Sequence, residues 1–199
     1  MWYERDFCHI RASKSKGYLT VGIVDGDARF SFNVSERDYT EAGSPRPGDA
    51  VDYDMLDCLR RSDEIYRARL YALRMLAFAD NNERTLVHKL VLRGISYEIA
   101  TDTAHEMVGR GYINESAQLE RLVLAEANRN LIGPRRIRAK LSSRGYSTSD
   151  IDETIERLCA DGEIDFERSA KLLVEKKLTR GATDDEIKRL LYKSGYNIC

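Results

Sequence analysis

The chain repeats itself at a period of about fifty residues, and that constrains its fold more than any other feature. Three segments carry the period: Leu86-Val-His-Lys-Leu-Val-Leu-Arg-Gly94-Ile-Ser96, Ile137-Arg-Ala-Lys-Leu-Ser-Ser-Arg-Gly145-Tyr-Ser147 and Ile187-Lys-Arg-Leu-Leu-Tyr-Lys-Ser-Gly195-Tyr-Asn197. A second pair of landmarks keeps the same step, Val108-Gly-Arg-Gly111-Tyr-Ile-Asn114 returning as Cys159-Ala-Asp-Gly162-Glu-Ile-Asp165. Repeat arrays stack units that each touch only their neighbours, and they build surfaces suited to long partners.

Within each period the apolar spacing is helical. Ala68, Leu70, Leu73, Leu76 and Ala77 form one stripe. Asn82 is placed to cap a helix holding Leu86, Leu90 and Val91, and Ser96 one holding Ala100, Ala104, Met107 and Val108. The second unit opens at Asn114, with Leu119, Leu122 and Val123 inward. Gly133-Pro134 starts its next helix, proline taking the position where a missing N–H costs least. Ser147 starts the third, with Ile151, Ile155 and Leu158 inward. The third unit opens at Asp165 with Ala170, Leu172 and Leu173. Thr183 and Glu186 form a capping box for its second helix, and the pattern runs out after Gly195. Glycines 94, 109 or 111, 145, 162 and 195 stand where helices end in left-handed geometry.

The first fifty-odd residues have a different period. Leu19, Val21 and Ile23 alternate with small or polar residues, as do Phe30, Phe32 and Val34, around a hairpin signal at Asp25-Gly26. Ser35 caps a short helix, Pro45, Pro47 and Gly48 make a turn, and a last strand is expected around Ala50 to Tyr53, with a joint near Leu59 to Asp63. The expected fold is therefore mainly α: tandem three-helix repeats forming an elongated helical array, preceded by a small N-terminal β-rich domain. The boundaries read are 1–59 for the β-rich domain, 60–113 and 114–164 for two repeats, and 165–199 for a truncated third.

Acids outnumber bases up to Leu59 and bases slightly outnumber acids beyond, so a near-neutral total hides an asymmetry, a modest basic bias that by itself does not establish nucleic-acid binding. Between Ala127 and Ser149 stand Arg129, Arg135, Arg136, Arg138, Lys140 and Arg144 with no acid among them. Arg136, Lys140 and Arg144 fall at four-residue steps, one row on a helix, suited to phosphates or to a carboxylate-lined groove. Lys171, Lys176, Lys177 and Arg180 form a second group, followed by Lys188, Arg189 and Lys193. Solvated helix surface is the plain alternative, and exposed aromatics between the cations are lacking.

Catalytic and metal signatures do not assemble. His105-Glu106 has Gly109 where a zinc-protease helix needs its second histidine, and His9 and His88 have no ligand partners at metal spacing. Gly109-Arg-Gly111 lacks the Lys-Ser/Thr of a phosphate loop. No enzymatic role, metal or cofactor is expected. Cys8, Cys58, Cys159 and Cys199 are scattered and read as free thiols in a reducing compartment. Glu4, Arg5 and Asp6 interrupt any signal layout, and no apolar run reaches membrane-spanning length, so a cytoplasmic protein without a membrane partner is expected.

With the repeats laid out, the chain resembles the RecX family of bacterial recombination regulators. Ala72-Leu-Arg-Met-Leu-Ala77 followed by Glu83-Arg-Thr-Leu-Val-His-Lys-Leu-Val-Leu-Arg-Gly94 is similar to that family's first repeat, and Gly111-Tyr-Ile-Asn-Glu115 to its Gly-Tyr-Leu-Asp/Asn-Glu junction. Gly133-Pro-Arg-Arg-Ile137 with Lys140-Leu and Arg144-Gly145 is similar to its second repeat; Val24-Asp-Gly26, Phe32-Asn-Val-Ser-Glu36 and Gly48-Asp49 resemble the β extension of some members. The resemblance implies a protein that lies in the groove of the RecA filament on single-stranded DNA and inhibits its extension, ATP hydrolysis, strand exchange and co-protease function. It implies RecA as partner, single-stranded DNA contacted directly or only through the filament, and a monomer. By carry-over, Arg135, Arg136, Lys140 and Arg144 are the foremost contact candidates, then Lys89 and Arg93, with Arg129, Arg138, Lys176 and Lys177 from the charged groups. Charge reversal at the first four is expected to abolish inhibition without unfolding the array. Two departures stand out: family members usually keep a third helix in the third repeat, and Ser194-Gly195 replaces the third Arg-Gly. The rival readings are a direct nucleic-acid binder competing for DNA, and a repeat adaptor for another protein.

Overall fold

A computed structural model describes residues 5–179 and 181–197, except the side chains of Arg5, Phe7 and Cys8. Of the residues discussed above, Glu4, Arg180, Cys199 and the side chains of Arg5 and Cys8 lie outside the described residues. The protein is mainly helical, with a small N-terminal sheet. It divides into two compact units, one running up to Ala79 and including Leu86–Gly109, the other comprising Asp80–Thr85 and the chain from Arg110 onward.

The first unit opens with an antiparallel sheet of order β1 (Arg5–Ala12), β2 (Tyr18–Asp25) and β3 (Ala28–Ser35). Leu19, Val21 and Ile23 face Val34, Phe32 and Phe30 across β2 and β3, so the alternating apolar residues share one side, and Gly26-Asp27 closes the hairpin. Strand β1 was not expected from the pattern. A bulge between Phe7 and His9 breaks its pairing with β2 and interrupts the two-residue alternation that would have revealed it. Ser35 caps α1 (Glu36–Glu41), its hydroxyl accepting from the Asp38 N–H at 3.0 Å.

The expected last strand around Ala50 to Tyr53 shrinks to one bridge between Asp6 and Ala50. Asp52 instead caps α2 (Tyr53–Phe78), which runs unbroken through the Leu59–Asp63 segment read as a joint. The first turns of α2 pack Leu56 and Leu59 on Val21, Ile23, Val34 and Val51. Asp63 accepts the Asn33 N–H at 2.8 Å and Ser62 accepts the Ser35 N–H at 3.0 Å, so helix side chains satisfy the outer edge of β3. The stripe read from the sequence is shifted: Ala68 and Ala72 are buried, while Leu73 and Ala77 are exposed. Helices α3 (Glu83–Val91) and α4 (Tyr97–Gly109) complete the repeat, burying Leu86, Leu90, Ala100, Ala104 and Met107, with Val91 exposed.

The second unit contains α5 (Glu115–Leu124), a π-helical turn (Ala125–Arg129), α6 (Pro134–Ser142), α7 (Thr148–Ala160), α8 (Phe166–Leu178) and α9 (Asp184–Ser194). Asn114, Ser147 and Asp165 cap α5, α7 and α8 through their side chains, and Glu186 reaches back to the Thr183 N–H at 2.9 Å. Leu119, Val123, Ile137, Leu141, Ile151, Ile155 and Leu158 form its core, joined by Ala127 and Ile164. Leu172, expected inward, is exposed, and the buried position on α8 is Ser169. Among the described residues no helix is long and apolar enough to cross a membrane. Cys58 and Cys159 are free thiols, both pushed up in pKa chiefly by burial.

Candidate functional site

The site is built on α6. Gly133 in extended geometry and Pro134 at the first helical position start the helix, and Ile137 and Leu141 anchor it in the core. Its first turn carries Arg135 and Arg136 and no acid, an arrangement that the helix dipole disfavours. The structure supplies the compensation. Arg135 donates to the Tyr192 carbonyl and stacks 4.0 Å from that tyrosine's ring centre; Arg136 donates to the Lys193 carbonyl at 3.0 Å. Both arginines thus satisfy carbonyls at the negative end of α9. The backbones interlock as well, the Gly133 N–H donating to the Ser194 carbonyl at 2.8 Å and the Arg135 N–H to the Gly195 carbonyl at 3.3 Å. Glycine is required on both sides. A Cβ on Gly133 would stand 2.5 Å from the Gly195 carbonyl, and one on Gly195 would stand 2.5 Å from Arg136 Cβ.

The same joint occurs one repeat earlier. Asn82, capping α3, donates its side-chain amide to the Arg144 carbonyl at 2.9 Å, Thr85 donates its hydroxyl to the same oxygen at 3.3 Å, and Arg84 lies against Gly145. Each joint sets the start of one repeat's second helix on the glycine turn ending the next repeat's second helix. Glu115 adds a carboxylate that accepts the Glu83 N–H at 2.6 Å.

The row read on α6 is only partly available to a partner. Lys140 pairs at 2.5 Å with Glu126, whose side chain is 6% exposed and also accepts from the Asn130 amide at 3.0 Å. Burial works to raise the Glu126 carboxyl, but the hydrogen bonds from Lys140 and Asn130 and the charges of Lys140 and Arg144 hold it below its usual range. Helix α6 ends at Ser142, so Arg144 lies in the following turn, where its backbone carbonyl serves the joint and its side chain is exposed. Arg138 is turned to Asp152 at 2.7 Å. Arg129 ends the π-helical turn in an exposed position.

Lys176 and Lys177 stand in the last turn of α8. Lys177 shares with Arg189 and Lys193 an open cleft of about 510 Å³ floored by Ala182 and Leu190. Its single acid, Glu186, is drawn to the Thr183 N–H. The second unit therefore carries linked cations, Arg144 and Lys140 around Glu126, then Arg136 against Lys193, then Arg189 and Lys177. In the first unit, Lys89 is half-buried in the last turn of α3 and Arg93 lies 5.8 Å from the centre of the Tyr71 ring. Sequence reasoning missed Glu126, Tyr192 and the joints. The legible signal was the arginine pair in a first turn, which needs acceptors from elsewhere.

Fold and site together define a helical-repeat protein with a small β extension and cations gathered at its repeat joints. No family model matches the chain. It is 30% identical over 114 residues to the regulatory protein RecX of Halorhodospira halophila, covering 57% of this chain and 68% of that protein. RecX of Clostridioides difficile is 29% identical over 127 residues, 63% of this chain and 58% of that one, and RecX of Geobacillus sp. 22% over 194 residues, 94% and 66%. A crystal structure of regulatory protein RecX shares the fold with a TM-score of 0.72 at 22% identity, over 97% of this chain and 95% of that one. The chain belongs to the RecX family of regulatory proteins. It spans 57–66% of the length of several curated relatives that it matches.

Proposed function

We propose that this protein is a negative regulator of RecA, acting in the cytoplasm, that binds the RecA–single-stranded DNA filament and inhibits its extension, ATPase, strand-exchange and co-protease activities. Membership of the RecX family carries the reading. The linked cations of the second unit support it physically, because a run of positive charge with few acids suits a polyanionic filament. Arg129, Arg144, Lys176, Lys177 and Arg189 are the contact candidates that this geometry favours, their side chains being exposed and outside the hydrogen bonds of the joints. Arg135 and Arg136 contribute chiefly by holding α9 in place.

The exposed cations also favour a second reading, direct contact with DNA phosphates. Titrating the protein into single-strand-dependent ATP hydrolysis by RecA separates the two. Inhibition well below one copy per RecA monomer supports action on the filament, whereas inhibition only near DNA saturation, weakening steeply with salt, supports competition for DNA. A folded chain without any effect on RecA overturns the proposal.

A further inference from the structure

The repeat joint occurs twice with its occupant in place, and the acceptor half occurs a third time. Gly94 ends α3 as Gly145 ends α6 and Gly195 ends α9, all three with positive φ (81°, 95° and 93°). Around Gly145 a Cβ would meet Arg84 and Asn82; around Gly195 it would meet Arg136 and Gly133. Around Gly94 a Cβ would meet nothing within 4 Å among the described residues. The side chains two and three positions before this open turn are apolar, and Arg93 next to it is turned to the Tyr71 ring and the Met75 sulfur. Val91 is 39% and Leu92 73% exposed, where the equivalent positions hold Ser142 and Ser143 in the second repeat and Tyr192 and Lys193 in the third. Tyr192 is the residue on which Arg135 stacks, so Val91 occupies the corresponding place against an incoming helix.

We infer that the end of α3, formed by Val91, Leu92 and the Gly94 turn, is a docking seat for the N-terminus of a helix in a protein partner. The two filled joints state the occupant's chemistry: a small or amide residue at the cap, Asn82 or Gly133, then arginine in the first turn, Arg84 or Arg135 and Arg136. A helix C-terminus with outward carbonyls attracts such a basic start. The exposed valine and leucine add an apolar contact that neither filled joint offers. A second copy of this chain is a poor occupant through its terminal repeat, because α9 begins with Asp184, Asp185 and Glu186 and would set carboxylates against those carbonyls.

This inference rests on the RecA reading and assigns to the RecA subunit a contact separate from the exposed cations of the second unit. The test uses two variants of the full chain. Gly94→Asn places a side chain in the open seat, asparagine being tolerant of left-handed geometry. Val91→Lys sets a positive charge against a basic helix start at an exposed position, where the fold tolerates it. Each variant should raise the concentration for half-inhibition of RecA ATP hydrolysis about tenfold or more, with the thermal unfolding of Val91→Lys unchanged. Inhibition by Val91→Lys equal to that of the natural chain overturns the seat. Absence of inhibition by the natural chain overturns the RecA reading itself.

Discussion

Glu126 shows how one buried carboxylate sets the chemistry of an otherwise basic region. Its oxygens are held by Lys140 and Asn130, and its pKa lies below that of the unfolded chain. A carboxyl depressed by folding contributes stability above its unfolded pKa, about 4.3, and loses it as the pH falls through the lower folded value. Glu126→Gln should therefore cost about 1–3 kcal/mol at neutral pH, and the gap to the natural chain should close below about pH 4 in urea denaturation. Lys140→Met strands the same carboxylate and should cost a similar amount at pH 7, with the Glu126 carboxyl titrating higher by NMR. The sequence marks Lys140 as basic and helical, but the partner stands fourteen positions away on another element. Local spacing therefore discloses the cation and hides its partner.

At the scale of the element, helix ends were legible and helix lengths less so. Ser35, Asn82, Asn114, Ser147, Asp165 and Thr183 all stand at helix starts, because capping acts within three residues and leaves its mark in the local sequence. The unbroken α2 and the bulged β1 escaped, since a helix running past a sheet and a strand with shifted register are decided by neighbours distant in sequence. The glycine turns test the joints. Gly162 has φ 75° with no described residue within 4 Å of an added Cβ, so Gly162→Ala should cost only the left-handed penalty of about 1–2 kcal/mol. Gly195→Ala adds a collision with Arg136 and should cost about 1–3 kcal/mol more in the same denaturation experiment.

For the whole molecule, the structure separates cations that hold repeats together from cations left to a partner. The expected reversal of Arg135, Arg136, Lys140 and Arg144 to glutamate is no longer a clean test, because three of the four carry structural bonds. Reversing Arg129, Lys176 and Lys177 should abolish inhibition of RecA and leave the thermal midpoint unchanged. Reversing Arg135 and Arg136 alone should lower both. If the first set contacts single-stranded DNA directly, the slope of log affinity against log salt should fall by about 0.7 for each contact removed. The repeat, its glycine turns and the basic block were all present in the sequence as local patterns. The division of labour among the arginines was not, since it is set by carbonyls 57 residues further on.

The joint between repeats also bears on how such a chain changes length over evolution. Its two halves are both local, a helix start on one unit and a glycine turn on the next, and both recur with the period. Duplicating or deleting an internal unit of about fifty residues again brings a helix start to a glycine turn, the acidic start of α9 excepted. Proteins of this construction can therefore drift in size by whole steps, each unit bringing its own side chains to the joint.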